Sequence, residues 1–327
     1  MQVNSRLRSA IASIVLGLTA LVSTAGVRAS TFTLPTAPGE TVLGEVQATV
    51  AKHEDTLLDI GRLYSVGYEE IVSANPGVDP LLPGADRQIV IPSRYILPEG
   101  PREGIVVSLA EHRLYYFPKP KAGEAAVVVT YPISVGKMDW KTPLGVTRIT
   151  DKRTRPTWYP PESVRKEHEA DGRPLPKAVP AGPDNPLGEY AMRLGIPGGA
   201  YLIHGTNRPA GVGMQVTHGC IRMYPEDIEQ FFKMVAVNTP VRIINQPYKM
   251  GWKGNDLYIE VHAPLEGQVD PQLYSLTNIT KLLVSATQDR TVALDWAKAE
   301  QAFLHPTGIP EPVMLAPVTS QVVETSR

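Results

Sequence analysis

The sequence has little of three features that often reveal a protein's class: cysteine, net charge and long apolar runs. A single cysteine among 327 residues excludes a disulfide within the chain. The formal net charge of −1 gives no basis for a broad surface that binds nucleic acid or anionic lipid. After the N-terminal residues, no stretch reaches the roughly 20 apolar residues that a membrane-spanning helix needs. We therefore expect a soluble globular protein, and its length favours two or more domains.

Proline, in contrast, is abundant. It occupies 31 of the 327 positions, which is close to twice its usual share of about 5%. Because proline interrupts helices, this content favours short strands and ordered loops over a helical bundle. Hydrophobic residues make up 43% of the chain, which is enough to build a substantial core.

The N-terminus is typical of a secretory signal peptide, which we predict over residues 1–29. Arg6 and Arg8 supply a positive start, and the apolar run Ala10–Val22 follows. Small residues at the end of this region, up to Ala29, suit cleavage by a signal peptidase. The alternative is an uncleaved anchor, but the apolar run is shorter than a membrane span. No cysteine follows that would carry a lipid, so we predict a soluble extracytoplasmic mature protein.

Residues 45–93 are predicted to form a small strand–helix–helix–strand unit. The stretch "HEDTLLDIGRLYSVGYEEIVSANPGVD" and the ending "IVIP" resemble a LysM module, a family that binds the N-acetylglucosamine chains of peptidoglycan or chitin. His53–Asp55 departs from the Gly-Asp that is usual at the first turn, and a structural domain without a ligand is the alternative. Residues 94–103 contain Pro98 and other chain-breaking residues, so we predict a linker there.

Residues 104–246 are predicted to form a mainly β domain. "GIVVSLAEHRLYYFP" predicts two strands joined by a turn at residues 110–112, and "AAVVVTYPISVG", "YLIHG" and "PVRIINQ" are further strand candidates. One helix is predicted in "YPEDIEQFFKMV", because Pro225 suits a first helical turn and the acidic residues after it suit the positive end of a helix. The expected fold is a mostly antiparallel sheet or β-sandwich with a short helix after the cysteine.

Residues 151–190 are polar, rich in proline and too long for an ordinary connection. They are expected to form a lid or binding loop, or an excursion with a structure of its own. Several side chains there suit contact with a sugar-peptide, namely Trp158, Tyr159, Lys166, His168 and Arg173.

Residues 250–327 are predicted to form a small α/β segment. It begins with the strand "DLYIEVHA", continues with two amphipathic helices near residues 272–285 and 293–303, and ends in a disordered tail from about Pro317. We find no motif for chemistry in this segment.

Cys220 is the residue that most needs an explanation. A lone cysteine is most often a small buried hydrophobic residue, but a thiol is rarely kept in an oxidising compartment without a function. Gly219 before it permits a tight turn, and His204 ends a predicted strand upstream. A nearby imidazole is a common means of activating a thiol, so Cys220 is a candidate nucleophile with His204 or His218 as the base. A zinc site on these three residues is the alternative, although no fourth ligand is evident.

The stretch "HGTNRPAGVGMQVTHGCIRMYPEDIEQFF" resembles the signature of the YkuD-type L,D-transpeptidase catalytic domain, a histidine followed by a variable loop and Ser/Thr-His-Gly-Cys. The similarity continues upstream in "IVVSLAEHRLYYFP", "YPISVGKMDWKTPLGVTRIT" and "NPLGEYAMRLG" and covers Gly104–Asn245. A signal peptide, a LysM-like module and this domain together resemble the periplasmic Gram-negative members of the ErfK/YbiS/YcfS/YnhG group. Arg222 stands where many members have Asn, so contacts of that Asn do not transfer to this chain.

The resemblance implies roles for individual residues. Cys220 is the expected nucleophile, and His204 the general base and acid. The Gly205 carbonyl is expected to orient His204, while the N–H groups of Gly219 and Cys220 are expected to bind the oxyanion. Four more residues complete the expected site: Thr217 bracing the turn, His218 in a supporting or merely structural role, and Arg222 and Tyr201 in contact with substrate.

The implied reaction is acyl transfer through a thioester at the L-centre of meso-diaminopimelate, with release of D-Ala. The acceptor is an amine, either a lysine of the major outer-membrane lipoprotein or a second diaminopimelate. No metal or organic cofactor is expected, and peptidoglycan is the expected partner. The alternatives are an L,D-carboxypeptidase or endopeptidase on the same site, and a glycan-binding scaffold without activity. A papain-like peptidase does not fit, because in that family the cysteine precedes its histidine.

Overall fold

The computed structural model describes residues 29–198, 201–268 and 270–315. The predicted signal peptide, except for Ala29, lies outside the described residues, and so does the tail predicted from Pro317. No helix in the described part of the chain has the length and apolar character needed to cross a membrane.

The described part of the chain forms six α-helices and eighteen strands. The helices are α1 (Leu57–Leu63), α2 (Tyr68–Ser73), α3 (Glu162–Ala170), α4 (Pro225–Met234), α5 (Leu276–Ala286) and α6 (Trp296–Leu304). The strands before α3 are β1 (Ser30–Thr33), β2 (Val42–Gly44), β3 (Gln47–Val50), β4 (Gln88–Ile91), β5 (Arg94–Ile96), β6 (Gly104–Ser108), β7 (Arg113–Phe117), β8 (Val127–Pro132), β9 (Val135–Gly136) and β10 (Gly145–Thr154). Those after it are β11 (Tyr190–Leu194), β12 (Leu202–His204), β13 (Gln215–Thr217), β14 (Ile221–Arg222), β15 (Pro240–Ile244), β16 (Tyr248–Lys253), β17 (Asp256–Val261) and β18 (Glu311–Pro312).

A nine-stranded sheet forms the body of the predicted β domain, in the order β1-β8-β7-β6-β15-β10-β11-β12-β14. Most pairs are antiparallel, whereas β6 with β15 and β12 with β14 are parallel. The register of the long strand β10 shifts between Ile149 and Asp151, which marks a β-bulge. The sheet curls at this strand, because a bulge bends a strand and increases its twist. The prediction of a mainly β domain is confirmed, with one curled sheet in place of two separate sheets.

The main core lies on the face of this sheet that α4 covers. Phe231 of α4 packs against Tyr116 and Tyr131, with ring centroids 5.5 and 5.1 Å apart. The predicted helix after the cysteine is therefore present, and its apolar side faces the sheet. The predicted turn between β6 and β7 is also present, and it begins and ends in buried strands.

The N-terminal module, defined here as residues 47–91, has the predicted strand–helix–helix–strand order. Its strands β3 and β4 pair antiparallel, and its core is built from seven buried residues: Ala51, Leu57, Ile60, Val66, Ile71, Ile89 and Ile91. Thr56 begins α1 with a capping box, in which its side chain accepts from the Asp59 N–H and the Asp59 carboxylate accepts from the Thr56 N–H. The helix therefore starts where the sequence provides a cap.

The segment predicted as a linker, residues 94–103, begins with a packed strand. Arg94–Ile96 is β5, which pairs antiparallel with β2. Tyr95 and Leu97 are 4% and 3% exposed. The chain-breaking residues of this segment follow β5, so only its second half has the character of a connection.

The C-terminal segment forms a separate α/β layer. Strands β16, β17 and β18 make a three-stranded sheet, and α5 and α6 pack on it around a core that includes Leu257, Ile259 and Leu283. The predicted strand and both predicted helices are present. The layer begins at Tyr248, two residues before the predicted boundary of 250 (250 − 248 = 2), because the hairpin needs β16 as the partner of β17.

Candidate active site

His204 and Cys220 line the same cleft because β12 and β14 are neighbours. The two strands pair in parallel, with Ile203 opposite Ile221 and His204 opposite Arg222. His204 is the last residue of β12, and Cys220 lies immediately before β14. Both line one cleft of about 880 Å³. The pairing of the two strands thus brings residues that are distant along the chain to the same cleft.

The hydrogen bonding of His204 defines its tautomer. Its Nδ1 lies 2.6 Å from the carbonyl oxygen of Gly205. A carbonyl only accepts hydrogen bonds, so Nδ1 carries the proton and Nε2 has the free lone pair. Burial, with a smaller contribution from the charge of Arg222, lowers the pKa of His204 to about 3, although the bond to Gly205 acts in the opposite direction. The ring is therefore neutral and can accept a proton at Nε2.

Cys220 is partly exposed at the cleft. Burial raises the pKa of its thiol to about 11, whereas a backbone hydrogen bond at Leu202 and the Arg222 charge act to lower it. Together with the lowered pKa of His204, this favours a thiol and an imidazole in the resting site.

The turn before Cys220 is held by two threonines. Thr217 Oγ1 donates to the Cys220 carbonyl at 2.6 Å, and Thr142 Oγ1 donates to the Gly219 carbonyl at 3.0 Å. Gly219 has a φ of +94°, and a β carbon on it would lie 2.9 Å from the Tyr201 ring. Only glycine suits this backbone and this close contact. Tyr201 therefore lies against the turn that carries the thiol.

His218 is engaged on the other side of the turn. Its Nε2 lies 2.7 Å from Glu167 Oε2 of α3. The Trp140 ring packs edge-on against the imidazole, with ring centroids 5.1 Å apart. Glu167 also accepts from Lys137 Nζ at 2.6 Å. The hydrogen bonds of Lys137 and His218 lower the pKa of the Glu167 carboxyl to about 2. The geometry gives His218 a link to α3, and gives His204 the free lone pair.

Residues 151–190 form one wall of the cleft. Of the side chains singled out in the sequence, Trp158, Tyr159 and His168 line it. Lys166 and Arg173 instead form surface ion pairs, with Glu162 at 3.0 Å and with Asp171 at 2.9 Å. The segment contains β10 residues, α3 and an extended return to β11, so it has a structure of its own and also borders the thiol.

Two arginines give the cleft a positive side. Arg222 and Arg208 both line it. Burial has the larger effect in lowering the pKa of the Arg222 guanidinium, and the charge of Arg208 lowers it as well. Within the described residues, Arg222 Nε is buried and has no hydrogen-bond partner. The pair is thus suited to bind a carboxylate. Sequence reasoning missed Arg208, which lies in the variable loop of the signature, and Glu167, which lies on α3 in a segment without a motif.

The described residues contain one group of donors close enough for a metal ion, Glu111, Glu260 and His262, and it lies outside the cleft. Lys249 Nζ lies 2.7 Å from each of the two carboxylates. A buried ammonium thus already supplies the charge that a cation would bring.

A neutral thiol and a histidine with a free Nε2, placed at adjoining strand ends in a cleft, form the arrangement of a cysteine-dependent acyl-transfer enzyme. Comparison with known proteins makes this class specific. Residues 102–243 match the YkuD family, the L,D-transpeptidase catalytic domain.

Three probable L,D-transpeptidases of Escherichia coli K12 are similar over most of the chain. YcfS is 44% identical over 256 residues, which cover 76% of this chain and 78% of that protein. YbiS is 38% identical, covering 86% and 91%, and ErfK/SrfK is 40% identical, covering 72% and 75%. The similarity to a solved structure, L,D-transpeptidase 3 from Mycobacterium tuberculosis, is weaker. The two chains are 20% identical, with a TM-score of 0.31 over 48% of this chain and 67% of that one. This chain belongs to the L,D-transpeptidase family, which confirms the predicted enzyme class.

Proposed function

We propose that this protein is a periplasmic peptidoglycan L,D-transpeptidase with Cys220 as its nucleophile and His204 as its general base and acid. The observation that carries the proposal is the shared cleft, in which His204 and Cys220 lie at the ends of paired strands. The family supplies the reaction class, and the site supplies the residues.

The first half-reaction forms a thioester. Cys220 Sγ attacks the carbonyl at the L-centre of meso-diaminopimelate in a tetrapeptide stem, while His204 Nε2 takes the thiol proton. Burial lowers the pKa of His204 and raises that of the Cys220 thiol, so in the proposed step the proton moves as the S–C bond forms. The C–N bond to D-Ala then breaks, and His204 returns the proton to the leaving amine.

The oxyanion of the tetrahedral intermediate is stabilised by the turn. A trans peptide places its N–H opposite its carbonyl, so the bond from Thr142 to the Gly219 carbonyl fixes the N–H of Cys220. This N–H and that of Gly219 are the proposed donors. A preorganised donor of this kind contributes on the order of 100-fold in rate.

The donor stem is recognised through its carboxylates. Arg208 and Arg222 lie in the cleft with Cys220, and Arg222 Nε has no partner among the described residues. A guanidinium binds a carboxylate through two parallel hydrogen bonds. We assign the pair to a carboxylate of diaminopimelate or of the departing D-Ala.

The acceptor is an amine, either a lysine of an outer-membrane lipoprotein or a second diaminopimelate. His204 removes a proton from the amine as it attacks the thioester carbonyl; the C–S bond then breaks, and His204 returns the proton to Cys220 Sγ. The LysM-like N-terminal module is proposed to bind glycan strands; its strand–helix–helix–strand order is the one expected from its sequence. Such binding raises the local concentration of stem peptides at the cleft.

Mass spectrometry after incubation with purified muropeptides tests the proposal. We expect a stem-peptide adduct on Cys220 with release of D-Ala, and the product formed on adding a lysine-ended peptide identifies the acceptor. His204→Ala should lose adduct formation, whereas His305→Ala, an exposed histidine in the C-terminal layer, should keep it. A Cys220→Ala variant that still releases D-Ala at the wild-type rate would exclude this mechanism.

A further inference from the structure

The chain that joins His204 to Cys220 has little regular structure of its own. Residues 205–219 are all described, and they contain the short 3-10 turn Pro209–Gly211 and the three-residue strand β13. A connection of this length keeps one path only when other elements hold its backbone. Its path matters because it leads directly into the turn that carries the thiol.

The middle of this loop is held by α2 of the N-terminal module. The N–H of Tyr68 donates to the Val212 carbonyl at 3.1 Å, and the N–H of Glu69 donates to the Gly213 carbonyl at 3.2 Å. The first N–H groups of a helix have no acceptor within the helix. Here the carbonyls of the active-site loop accept from them, so the loop and the helix end satisfy each other's backbone groups.

The contact is too close for any side chain. A β carbon on Gly213 would lie 2.2 Å from the Tyr68 nitrogen and 2.4 Å from Gly67 Cα. A β carbon on Gly67 would lie 2.8 Å from Gly213 Cα. The φ of Gly213 is +88°, which also favours glycine. Two glycines from different parts of the chain therefore allow two backbones to touch.

Buried and half-buried ion pairs fix α2 in this position. Arg113 of β7 is fully buried and donates from Nε and Nη2 to the two oxygens of Glu70, at 2.7 and 2.9 Å. Glu70 Oε2 also accepts from the Gly67 N–H at 2.7 Å. Arg62 of α1 makes a second bidentate pair with Glu226, in the first turn of the helix that follows Cys220. The module is thus attached on both sides of the thiol turn.

We propose that the N-terminal module is a positioning element of the active site. The first turn of α2 holds the loop at Val212 and Gly213, and the loop in turn holds the turn of Cys220 against the strand end of His204. The effect on catalysis rests on the proposed function of Cys220. The backbone contact itself does not depend on that function, so the two can be tested separately.

The first test is Gly213→Ala, with Gly123→Ala as the matched control. Gly123 has a similar φ of +81° but has open space around its Cα. A carbapenem serves as the probe, because a small acylating β-lactam needs no glycan. We expect acylation of Cys220 to slow by on the order of 100-fold in Gly213→Ala, as for other small displacements of reacting groups. Hydrogen exchange of residues 205–219 should become faster in that variant, and Gly123→Ala should match wild type in both measurements.

A second pair of variants covers the case in which Gly213→Ala does not fold. Tyr68 is the first residue of α2, where proline is well tolerated. Tyr68→Pro removes the N–H that donates to Val212, whereas Tyr68→Ala removes the side chain and keeps that N–H. We expect faster loop exchange in Tyr68→Pro than in Tyr68→Ala.

The outcomes separate the two ideas. Wild-type exchange of residues 205–219 in both Gly213→Ala and Tyr68→Pro would overturn the positioning role, and so would wild-type acylation in a folded Gly213→Ala. A wild-type protein that the carbapenem does not acylate would overturn the proposed function of Cys220. In that case loop exchange in the variants still decides whether α2 holds the loop.

Discussion

At the scale of single residues, Arg222 connects the electrostatics of the site. Its charge lowers the pKa of the Cys220 thiol and also that of His204. The Arg222 charge therefore favours the thiolate of Cys220 and disfavours the imidazolium of His204. Its effect on the thiol opposes that of burial, which favours the protonated form. Since Arg222 also has an unpartnered Nε within the described part of the chain, a substrate carboxylate bound there would reduce this influence.

Alkylation by iodoacetamide should report the raised pKa of Cys220. Only the thiolate reacts, and with a pKa of about 11 the thiolate fraction rises about tenfold for each pH unit between 7 and 10. At pH 8 we expect Cys220 to react on the order of 100-fold more slowly than free cysteine. Arg222→Gln should slow the reaction further, because it removes the positive charge.

Arg222→Lys is the matched control, because it keeps the charge and changes the shape of the group. Its alkylation rate should lie closer to wild type than that of Arg222→Gln. A rate that reaches its plateau below pH 8 would show a preformed thiolate and contradict the neutral resting pair.

At the scale of elements, helix α3 connects the cleft wall to the turn that carries Cys220. Glu167 on this helix contacts His218, which lines the cleft, and also Lys137. Both contacts are about one-third exposed, so water screens them and their individual contributions are small. We expect the two contacts to help align this wall with the turn of Cys220.

We expect Glu167→Gln to lower kcat/KM for a muropeptide by about two- to fivefold, which corresponds to roughly 0.5–1 kcal/mol for partly exposed ion pairs. Steady-state kinetics checks this value. Glu162→Gln is the control, since Glu162 is on the same helix and pairs with Lys166 at the surface. Equal kinetics in the two variants would contradict a link between α3 and the turn.

At the scale of the whole molecule, buried charges join the three units. Arg113 in the central sheet pairs with Glu70 of the N-terminal module. Lys249 of the C-terminal layer pairs with Glu111 beside the central sheet, and with Glu260. A buried ion that loses its partner is strongly destabilising, so none of these units is independent of the others.

Calorimetry should therefore show one unfolding transition, and the Arg113–Glu70 pair should show strong coupling. Each single variant, Arg113→Met or Glu70→Leu, should lower the free energy of unfolding by about 3–5 kcal/mol, because it leaves a buried charge alone. The double variant should lose less than the sum of the two, and can be close to wild type. Additive losses, or a separate transition for residues 47–91, would contradict this account.

Local sequence signals were sufficient for much of the fold. The strand–turn–strand of residues 104–117 and the helix after Pro225 follow from alternation and from residues that favour helix starts, and both depend on near neighbours along the chain. The strands β5 and β16 were missed as strands, because their partners β2 and β17 define them as much as their own residues do. Tertiary pairing overrides weak local preference in such segments.

The chain by itself determined the chemistry: a thiol after a permissive glycine, a histidine at a strand end, and the order of elements around them. These are properties of residue type and near spacing, which a linear chain displays directly. Only the tertiary structure decided that burial shifts both pKa values towards the neutral forms, that Arg208 lines the cleft and Glu167 contacts His218, and that α2 hydrogen-bonds the loop between His204 and Cys220. Burial, charge and backbone contact depend on distances in space, and residues far apart in the chain have such distances only after folding.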